Sequence, residues 1–438
     1  MKKQGKFITV EQAIGMLKEN DQILFGMAAA EPQIFAEYMH TAIDNGIKKL
    51  NITNCLAINT TAKYLTDEYA KNFKFYSWFY DPAMRKVSKN GNVSFIPNNL
   101  HFASKKRFYR QDYDVFMCVA SYPDEHGYIS LSLNNVYEKD AIKFAKMSMI
   151  EVNKNFPRTL GDMEVHVSEI DYLVETDYMP PALPDIPLNE KDRAIGKFIA
   201  DLIPDGSCIQ LGIGGIPNAV AEALKGKKNL GIHTEMFTSK MVELIESGAV
   251  DGSLKQLQPG KHVAAFCYAN QKTYDFINNN PTVQFLRGSY VNDPHIIGLN
   301  DNQISINSTI EVDLTGQCAS ESLGHVQFSG TGGQTDTAVG AVNSKNGKSF
   351  IALYSTALVR NKDTGEKEEV SKIVATLKPG AAVSLSRNDV DHVCTEYGVV
   401  NLRGTSIDER VELLISIAHP KFREQLRKEA IALGWLYE

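Results

Sequence analysis

The sequence is poor in cysteine and shows no pairing pattern for it. Six cysteines are scattered through 438 residues without a Cys-x-x-Cys pair, which argues against a disulfide framework and against a zinc site of that kind. We expect reduced and mostly buried thiols, as in a cytoplasmic protein. The cysteines are Cys55, Cys118, Cys208, Cys267, Cys318 and Cys394.

Long apolar runs are absent as well. No uninterrupted apolar stretch reaches the roughly 18–20 residues that a membrane-spanning helix needs. The basic start Met1-Lys2-Lys3 is followed by no apolar segment, so we predict neither a signal peptide nor a membrane partner. The ten histidines show no metal-ligand spacing, and we therefore predict no metal site.

The charge balance gives no sign of a polyanionic partner. A formal net charge of −6 at pH 7 provides no reason to expect nucleic acid or an anionic membrane. The hydrophobic fraction of 43% and the charged fraction of 22% are typical of a globular protein. The length is sufficient for two domains of ordinary size.

The two halves of the chain repeat the same pattern. In each half a short helical segment leads into a strand that ends at glycine, and a proline turn and a helix follow. A further short strand comes next in both halves. Near the end of each half, a later strand also has a counterpart in the other half. We interpret the similar offsets as duplication of a whole domain; chance similarity between βα units is the alternative. The paired segments are 13–26 with 194–212, Pro32 with Pro217, 33–38 with 218–224, 50–53 with 230–233, and 169–175 with 389–395.

A proline-rich linker divides the halves. Residues 179–187 contain four prolines, which excludes a regular helix or a central strand. We predict one domain over 1–185 and another over 190–438, each with strands that alternate with helices. That alternation favours an α/β fold made of two similar open α/β domains related by internal duplication.

The most informative segments lie in the second half. A glycine-rich turn at 212–217, Gly-Ile-Gly-Gly-Ile-Pro, brings backbone N–H groups close to a ligand at the start of a helix. About twenty residues later, Glu235 ends the next short strand. Parallel strands deliver both features to one edge of a sheet. We predict that the Glu235 carboxylate is a nucleophile toward an acyl group and that the N–H groups of Gly214 and Gly215 are oxyanion donors.

Three other interpretations of these segments stay open. The turn can be a tight connection without a ligand, and a strand-end glutamate can be a solvated surface residue. The spacing also imitates a dinucleotide-binding fingerprint, with glycines at 212 and 214 and an acidic residue later. Pro217 stands where that fingerprint requires a third glycine, which argues against a nicotinamide or flavin site.

The first half lacks this reactive apparatus. In the strand alignment Cys55 stands at the position of Glu235, and the segment 26–32 replaces the glycine-rich turn. We therefore predict that the second half carries the reaction and that the first half supplies a wall of the cleft. Residues near Glu31, Asn54 or Asn59 are candidates for shaping the choice of acid.

Two further segments are candidates for ligand contacts. A second glycine cluster at 329–336 can follow an extended ligand such as a pantetheine arm; a plain loop between strands is the alternative. The basic residues Arg360, Lys362 and Lys367 lie in a polar insert and can meet phosphates, although a solvated charge run explains most such residues.

Together these segments resemble the acetyl-CoA hydrolase/transferase family of glutamate-dependent coenzyme A transferases, and the likeness covers nearly the whole chain. The second half carries Gly-Ile-Gly-Gly-Ile-Pro at 212–217, Leu-Gly-Ile-His-Thr-Glu-Met at 230–236, Phe-Ser-Gly-Thr-Gly-Gly-Gln at 328–334, Ser-Arg-Asn-Asp-Val-Asp at 386–391 and Thr-Glu-Tyr-Gly at 395–398. The first half adds Ala-Glu-Pro at 30–32, Pro-Asp-Glu-His-Gly-Tyr at 123–128, Glu-Val-Asn at 151–153 and Pro-Arg-Thr-x-Gly-Asp at 157–162.

The resemblance implies the paired α/β domains and a nucleophilic role for Glu235. It also implies that coenzyme A binds as a substrate and not as a permanent cofactor. In such enzymes a basic residue after Ser-Thr-Ala contacts coenzyme A; here the segment after Ala357 is longer than usual, so Arg360 is expected and Lys362 is the alternative. The other implied contacts are Gly212, Ile213, Gly214, Gly215, Ile216, Ile310 and Gly333.

The implied reaction moves coenzyme A from a short-chain acyl-CoA to a free carboxylate, by a ping-pong route through a glutamyl-CoA thioester. The acyl pair is left open, with acetate as a candidate acceptor and 4-hydroxybutyrate or butyrate as the other acid. An acetyl-CoA hydrolase with the same glutamate, a dinucleotide-dependent oxidoreductase and a non-catalytic acyl-CoA sensor are the alternatives. A homo-oligomer, either a dimer or a tetramer, is the usual state in such families.

Overall fold

Each half of the chain builds one large, mainly parallel sheet. The structure is a computed structural model, and it describes residues 5–184, 186–360 and 365–437. The strands of the first half are β1 (Lys6–Phe7), β2 (Gln22–Phe25), β3 (Leu50–Asn54), β4 (Phe73–Ser77), β5 (Val93–Phe95), β6 (Val115–Ser121), β7 (Tyr128–Ser130), β8 (Met147–Asn153), β9 (Leu160–Gly161), β10 (Glu164–His166) and β11 (Tyr172–Thr176). The α-helices of this half are α1 (Val10–Ile14), α2 (Gln33–Tyr38), α3 (Thr41–Asp44), α4 (Pro82–Val87), α5 (Lys105–Arg110) and α6 (Glu138–Phe144).

The second half adds the larger share of the elements. Its strands are β12 (Cys208–Leu211), β13 (Gly231–Phe237), β14 (His262–Cys267), β15 (Val283–Phe285), β16 (Gln303–Ser308), β17 (Glu311–Asp313), β18 (Cys318–Ala319), β19 (Ser322–Leu323), β20 (Val326–Gln327), β21 (Lys348–Ala352), β22 (Thr356–Arg360), β23 (Lys367–Ser371), β24 (Ile373–Val374), β25 (His392–Thr395) and β26 (Gly398–Asn401). Its α-helices are α7 (Glu190–Asp201), α8 (Gly215–Ala223), α9 (Ser239–Glu246), α10 (Gln271–Ile277), α11 (Gly288–Val291), α12 (Pro294–Ile297), α13 (Gln334–Asn343), α14 (Ile407–Ile417) and α15 (Pro420–Ala432).

The two large sheets share one strand order. The first runs β1-β11-β8-β6-β2-β3-β4-β5, and the second runs β26-β25-β21-β16-β12-β13-β14-β15-β9. Apart from the edge strands, each position in the first sheet has a counterpart at the same place in the second. The predicted fold of two similar open α/β domains is confirmed, and the shared order is what duplication of a whole domain would produce.

The proline that follows each glycine turn sits differently in the two halves. Pro32 caps α2, as the pattern predicts. In the second half the predicted helix start at Asn218 is wrong, because α8 begins at Gly215 and Pro217 lies inside its first turn. Proline is tolerated there because the N–H groups of a first helical turn have no partner within the helix.

One short strand crosses between the halves. Residues 177–184 and 186–189 form neither helix nor strand, in agreement with the predicted proline-rich linker. Before this linker, however, β9 leaves the first half and pairs with β15 at the edge of the second sheet. A Cβ atom built at Gly161 would lie 2.3 Å from the carbonyl oxygen of Phe285, so only glycine permits this approach. The first half therefore contributes directly to the second sheet.

The core runs through both halves. A single hydrophobic cluster contains buried residues of the first half, such as Leu131 and Val136, together with residues of the second half, such as Phe266 and Phe285. Strand β14 is also bound by the first half, since the N–H of Cys267 donates to the carbonyl oxygen of Leu133 at 2.8 Å. All six cysteines are described, buried and unpaired, as predicted. In the described part of the chain, none of the helices has the length and apolarity required to cross a bilayer.

Candidate active site

A cleft opens between two neighbouring strands of the second sheet, β12 and β16, whose onward connections run to opposite sides. Strand β12 connects through α8 to β13 on one side, whereas β16 connects through α13 to β21 on the other. Such a reversal creates a crevice beyond the carboxyl ends of the strands. The cleft has a volume of about 240 Å³. Its lining residues are Met27, Cys55, Leu56, Phe79, Leu100, Gln210, Leu211, Gly212, Ile213, Glu235, Met236, Phe266, Asn307, Ser308, Ser320, Ser329, Gly330, Thr331, Gly332, Gly333 and Gln334.

Glu235 lies in this cleft with one carboxylate oxygen held by the protein. The side-chain amide Nδ2 of Asn292 donates to Oε2 of Glu235 at 2.9 Å. Burial raises the pKa of Glu235 to about 7; the amide of Asn292 opposes that shift, the neighbouring Asp336 adds to it, and the N–H of Gly333 opposes it. A carboxyl group with this pKa is ionised in a large fraction of molecules at neutral pH. It is therefore available as a nucleophile.

Gly333 is needed because of how closely the carboxylate approaches the backbone. A Cβ atom built at this position would lie 1.7 Å from Oε2 of Glu235 and 2.3 Å from Nδ2 of Asn292. The backbone of Gly333 has an ordinary φ of −97°, so the requirement is steric and not conformational. This glycine belongs to the second glycine cluster, which the structure brings directly to Glu235.

The second glycine cluster is also seated on the first half of the chain. The N–H of Leu100 donates to the carbonyl oxygen of Gly332 at 3.2 Å, and the N–H of Tyr80 donates to that of Ser329 at 3.3 Å. A Cβ atom at Gly330 would lie 2.3 Å from the carbonyl oxygen of Trp78. The loop thus closes the cleft between the two halves, which a plain connection between strands would not do.

A hydrogen-bonded pair between the halves stands next to Glu235. Nδ1 of His101 lies 2.7 Å from Oδ1 of Asp336, and the backbone N–H of His101 binds the other oxygen of that carboxylate at 3.0 Å. Burial raises the pKa of Asp336, whereas the contact with His101 lowers it. Because Asp336 lies in the first turn of α13, this pair fixes the helix that follows Gly333 against the first half.

The glycine-rich turn presents unoccupied backbone donors beside Glu235. The N–H of Gly212 is used by the carbonyl oxygen of Ile306 at 3.1 Å. Within the described residues, the N–H groups of Ile213, Gly214 and Gly215 form no hydrogen bond with the protein. Gly214 has a φ of +119°, which favours glycine, and it precedes the first residue of α8. The turn can therefore receive a negatively charged or carbonyl oxygen.

Only part of the glycine-rich turn lines the cleft. Gly212 and Ile213 line the cleft with Glu235, whereas Gly214 lines an adjoining cavity of about 310 Å³. Gly215 is partly buried and Ile216 is buried at the start of α8. A Cβ atom at Gly215 would lie 2.7 Å from both carboxylate oxygens of Asp192, which explains the glycine at that position.

The remaining predicted contacts lie away from Glu235. Ile310 does not line the cleft; it is partly buried two residues beyond Ser308, and its N–H donates to the carbonyl oxygen of Ala319 at 3.2 Å. Arg360 is exposed at the end of β22, where its Nε donates to the carbonyl oxygen of Gly365 at 3.0 Å. Lys362 lies outside the described residues. Contacts of Ile310 and Arg360 with coenzyme A therefore stay predictions.

Sequence reasoning missed two residues that the structure brings to this region. Asn292 follows α11 and reaches Glu235 from 57 positions further along the chain, with no local pattern to mark it. Lys372 follows β23, and its ammonium group lies 3.4 Å from the carbonyl oxygen of Thr309, beside Ile310. Burial lowers the pKa of Lys372 to about 8. A lysine between two short strands carries no signal of such a position.

The first half supplies a wall of the cleft, as predicted, and the structure shows that this wall is apolar. We use the term first-domain wall for Met27, Cys55, Leu56, Phe79 and Leu100. The polar candidates of the first half lie elsewhere. The carboxylate of Glu31 accepts the N–H groups of Ile58 and Asn59 at 2.8 Å, and the amide of Asn54 contacts the sulfur of Met84.

Known proteins of one family match this chain over nearly its full length. The N-terminal domain model of acetyl-CoA hydrolase/transferase matches residues 2–184, and the C-terminal domain model matches residues 270–430. The chain is 42% identical over 419 residues to the succinyl-CoA:cyclohexane-1-carboxylate CoA transferase of Geobacter metallireducens, which covers 96% of this chain and 93% of that protein. It is also 42% identical over 430 residues to the 4-hydroxybutyrate coenzyme A transferase of Clostridium kluyveri. That match covers 97% of this chain and 97% of that protein.

Solved structures agree with these sequence matches. The crystal structure of RipA from Yersinia pestis is similar with a TM-score of 0.89 at 35% identity, over 98% of each chain. The resemblance that the sequence motifs predicted is therefore confirmed. The chain belongs to the acetyl-CoA hydrolase/transferase family, as an enzyme of the CoA-transferase type.

Proposed function

We propose that this enzyme transfers coenzyme A between a short-chain acyl-CoA and a free carboxylic acid, through a thioester formed on Glu235. One observation carries the proposal. The Glu235 carboxylate lines the cleft between the two halves, and the side-chain amide of Asn292 binds its Oε2 and not its Oε1. Such an arrangement leaves one oxygen free to attack and keeps the other in place.

The first half-reaction takes two steps. Oε1 of Glu235 attacks the thioester carbonyl carbon, the carbon–sulfur bond breaks, and a mixed anhydride and the CoA thiolate result. The thiolate then attacks Cδ of Glu235, the bond from Cδ to Oε1 breaks, and the first acid leaves with that oxygen. A second carboxylate reverses both steps. The products are a new acyl-CoA and the original glutamate, which is the ping-pong scheme.

The residues around Glu235 suit the charges that develop. Negative charge grows on Oε2 when the thiolate attacks Cδ, and Nδ2 of Asn292 already donates to that atom. For attack on the substrate carbonyl, the free N–H groups of the glycine turn are the available donors, with those of Gly214 and Gly215 as the predicted pair. Each such donor contributes about 3 kcal/mol in enzymes of known mechanism.

The choice of substrates is a further part of the proposal. 4-Hydroxybutyrate or butyrate is the expected acid, and acetate is the expected acceptor. Coenzyme A is needed only as a substrate, since one thioester is exchanged for another. We also expect a homo-oligomer and a cytoplasmic location; the six unpaired, buried thiols are consistent with the latter.

The thioester can be trapped chemically. We expect borohydride, applied after acetyl-CoA or butyryl-CoA, to reduce Glu235 to the alcohol, as detected by peptide mass spectrometry. Glu235→Gln should lower the exchange rate by about 10⁴-fold or more. Glu246→Gln on α9 is the matched control and should retain activity, because its carboxylate is at the surface. Full exchange activity in the Glu235→Gln protein, or a label on a different residue, would refute the proposal.

A further inference from the structure

We infer that the first-domain wall selects the acyl group and favours uncharged acyl chains over those that end in a second carboxylate. The inference rests on the proposed function and deepens it by naming the class of acyl substrate. It concerns residues outside the glycine turn and outside the contacts expected for coenzyme A.

The cleft has two sides of different chemistry. The first-domain wall is apolar throughout, and Phe266 extends it from the second half. The hydrogen-bonding side chains of the lining, including Asn307, Ser320 and Gln334, come from the second half, which also contributes the apolar Leu211, Ile213 and Met236. Oε1 of Gln334 is buried and has no partner among the described residues. Amide groups of a pantetheine arm suit the polar side, which leaves the apolar wall for the hydrocarbon part of the acyl group.

The described residues that line the cleft offer no positive charge to a second carboxylate. Among the described residues that line it, Glu235 is the only charged one, and it is acidic. Lys240 lines the adjoining cavity, but its ammonium group is already bound by the carboxylate of Glu243 at 2.5 Å. A terminal carboxylate would lose water and face Glu235 without a cation, which is unfavourable on both counts.

The electrostatic surroundings of Cys55 support this view. Burial raises the pKa of the Cys55 thiol well above its usual range, and the carboxylates of Glu235, Glu138 and Asp81 raise it further. The same carboxylates that disfavour a thiolate on the first-domain wall disfavour any anion placed against that wall.

Backbone strain also marks the wall. Leu56 has a φ of +52° and Ala28, next to Met27, has a φ of +50°. Residues with side chains rarely adopt this conformation, and such strain concentrates at functional sites. The fold thus holds Leu56 and Met27 in fixed positions against the acyl group, where their size and polarity decide what fits.

A pair of four-carbon substrates tests the inference directly. Butyryl-CoA and succinyl-CoA have the same chain length and differ in the terminal carboxylate. We expect the rate constant for labelling Glu235, trapped with borohydride, to be at least about 100-fold higher with butyryl-CoA. If neither acyl-CoA labels Glu235, the proposed function fails. If both label it at similar rates, the thioester mechanism stands and the inference about the wall is wrong.

A variant that adds a cation to the wall provides the second test. Leu56→Arg should raise the ratio of succinyl-CoA to butyryl-CoA labelling at least about tenfold, because the guanidinium pairs with the terminal carboxylate. Leu299→Arg is the matched control, since Leu299 is 46% exposed and outside the cleft, and it should leave the ratio unchanged. Met27→Lys offers an alternative position if Leu56→Arg does not fold. A folded wall variant with the wild-type ratio would contradict the inference.

Discussion

At the scale of single residues, the site depends on how tightly the Glu235 carboxylate is enclosed. Asn292 binds one oxygen, and the absence of a side chain at Gly333 creates the space for it. Such crowding fixes the direction of the free oxygen, and directional control of a nucleophile contributes strongly to rate. It also makes the site sensitive to a single added methyl group.

Gly333→Ala should therefore lower the transfer rate at least about a hundredfold, because the new Cβ displaces Glu235 from its position. The measurement is the steady-state rate of CoA transfer, with circular dichroism to check folding. Gly226→Ala is the control, since a Cβ atom there meets no atom within 4 Å. Near-normal activity in Gly333→Ala would show that the enclosure does not orient the nucleophile.

The protonation of Glu235 should appear in the pH profile. Only the ionised carboxylate attacks, so kcat/KM for acyl-CoA should fall as the pH drops below the Glu235 pKa of about 7. Asp336 raises that pKa, so Asp336→Asn should move the acid limb to lower pH. Asp201→Asn, on the surface of α7, should leave the limb where it is. A shift of the Asp336→Asn limb to higher pH would contradict the electrostatic assignment.

At the scale of elements, the second glycine cluster joins the two halves over the cleft. Helix α4 secures it, since Nη1 of Arg85 donates to the carbonyl oxygen of Phe328 at 2.8 Å and the guanidinium lies 4.6 Å from the centre of the Phe328 ring. In the proposed mechanism, a loop held in this way would keep water from the glutamyl thioester. Loss of the attachment should convert part of the transferase reaction into hydrolysis.

Arg85→Ala tests this role of the loop. We expect thiol release from acetyl-CoA, measured without an acceptor acid, to rise relative to CoA transfer. The cause is water entry beside Gly332 and Gly333 once Phe328 is released. Lys86→Ala, an exposed neighbour on the same helix, should keep the wild-type ratio of hydrolysis to transfer. An unchanged ratio in Arg85→Ala would mean that other contacts of the loop exclude water.

The elements also show where sequence reasoning succeeds and where it stops. Alternation of strands and helices is a local pattern, so it predicted the matched short strands that lead to Cys55 and Glu235, which both line the cleft. The pair of His101 and Asp336 spans 235 positions, and no local pattern records such a contact. Strand β9 escaped prediction because two residues are too few to show a period.

At the scale of the whole molecule, the first half carries buried carboxyl groups that link stability to pH. Burial raises the pKa of Glu31 to about 8, of Glu138 and Glu151 to about 7, and of Asp81 to about 6. At pH values between the ordinary and the raised pKa of these groups, the folded protein therefore binds more protons than the unfolded chain. The contribution of these groups to the free energy of unfolding is present at lower pH and is lost as the pH rises through the raised pKa values.

We expect the melting temperature to fall when the pH is raised from about 6.5 to about 8.5, a range chosen from the raised values. Buried His233 and His262 have the opposite effect, but their pKa values are lowered to about 4 from 6.5, so they act below this range. Glu31→Gln should reduce the fall while preserving an acceptor for the N–H groups of Ile58 and Asn59. A melting temperature that rises over this range would contradict the assignment.

Strand β9 belongs to the first half by sequence but pairs in the sheet of the second half, and this has a consequence for how the chain can be divided. A cut in the linker would leave the second half with Gln284 and Phe285 facing solvent in place of Leu160 and Gly161. The first half would carry that short segment without its partner strand. Expressed apart, the two pieces should aggregate or stay unfolded, whereas co-expression should let them reassemble through this strand pairing and the shared core. Any ancestor that existed as a separate single domain must therefore have closed this edge in another way.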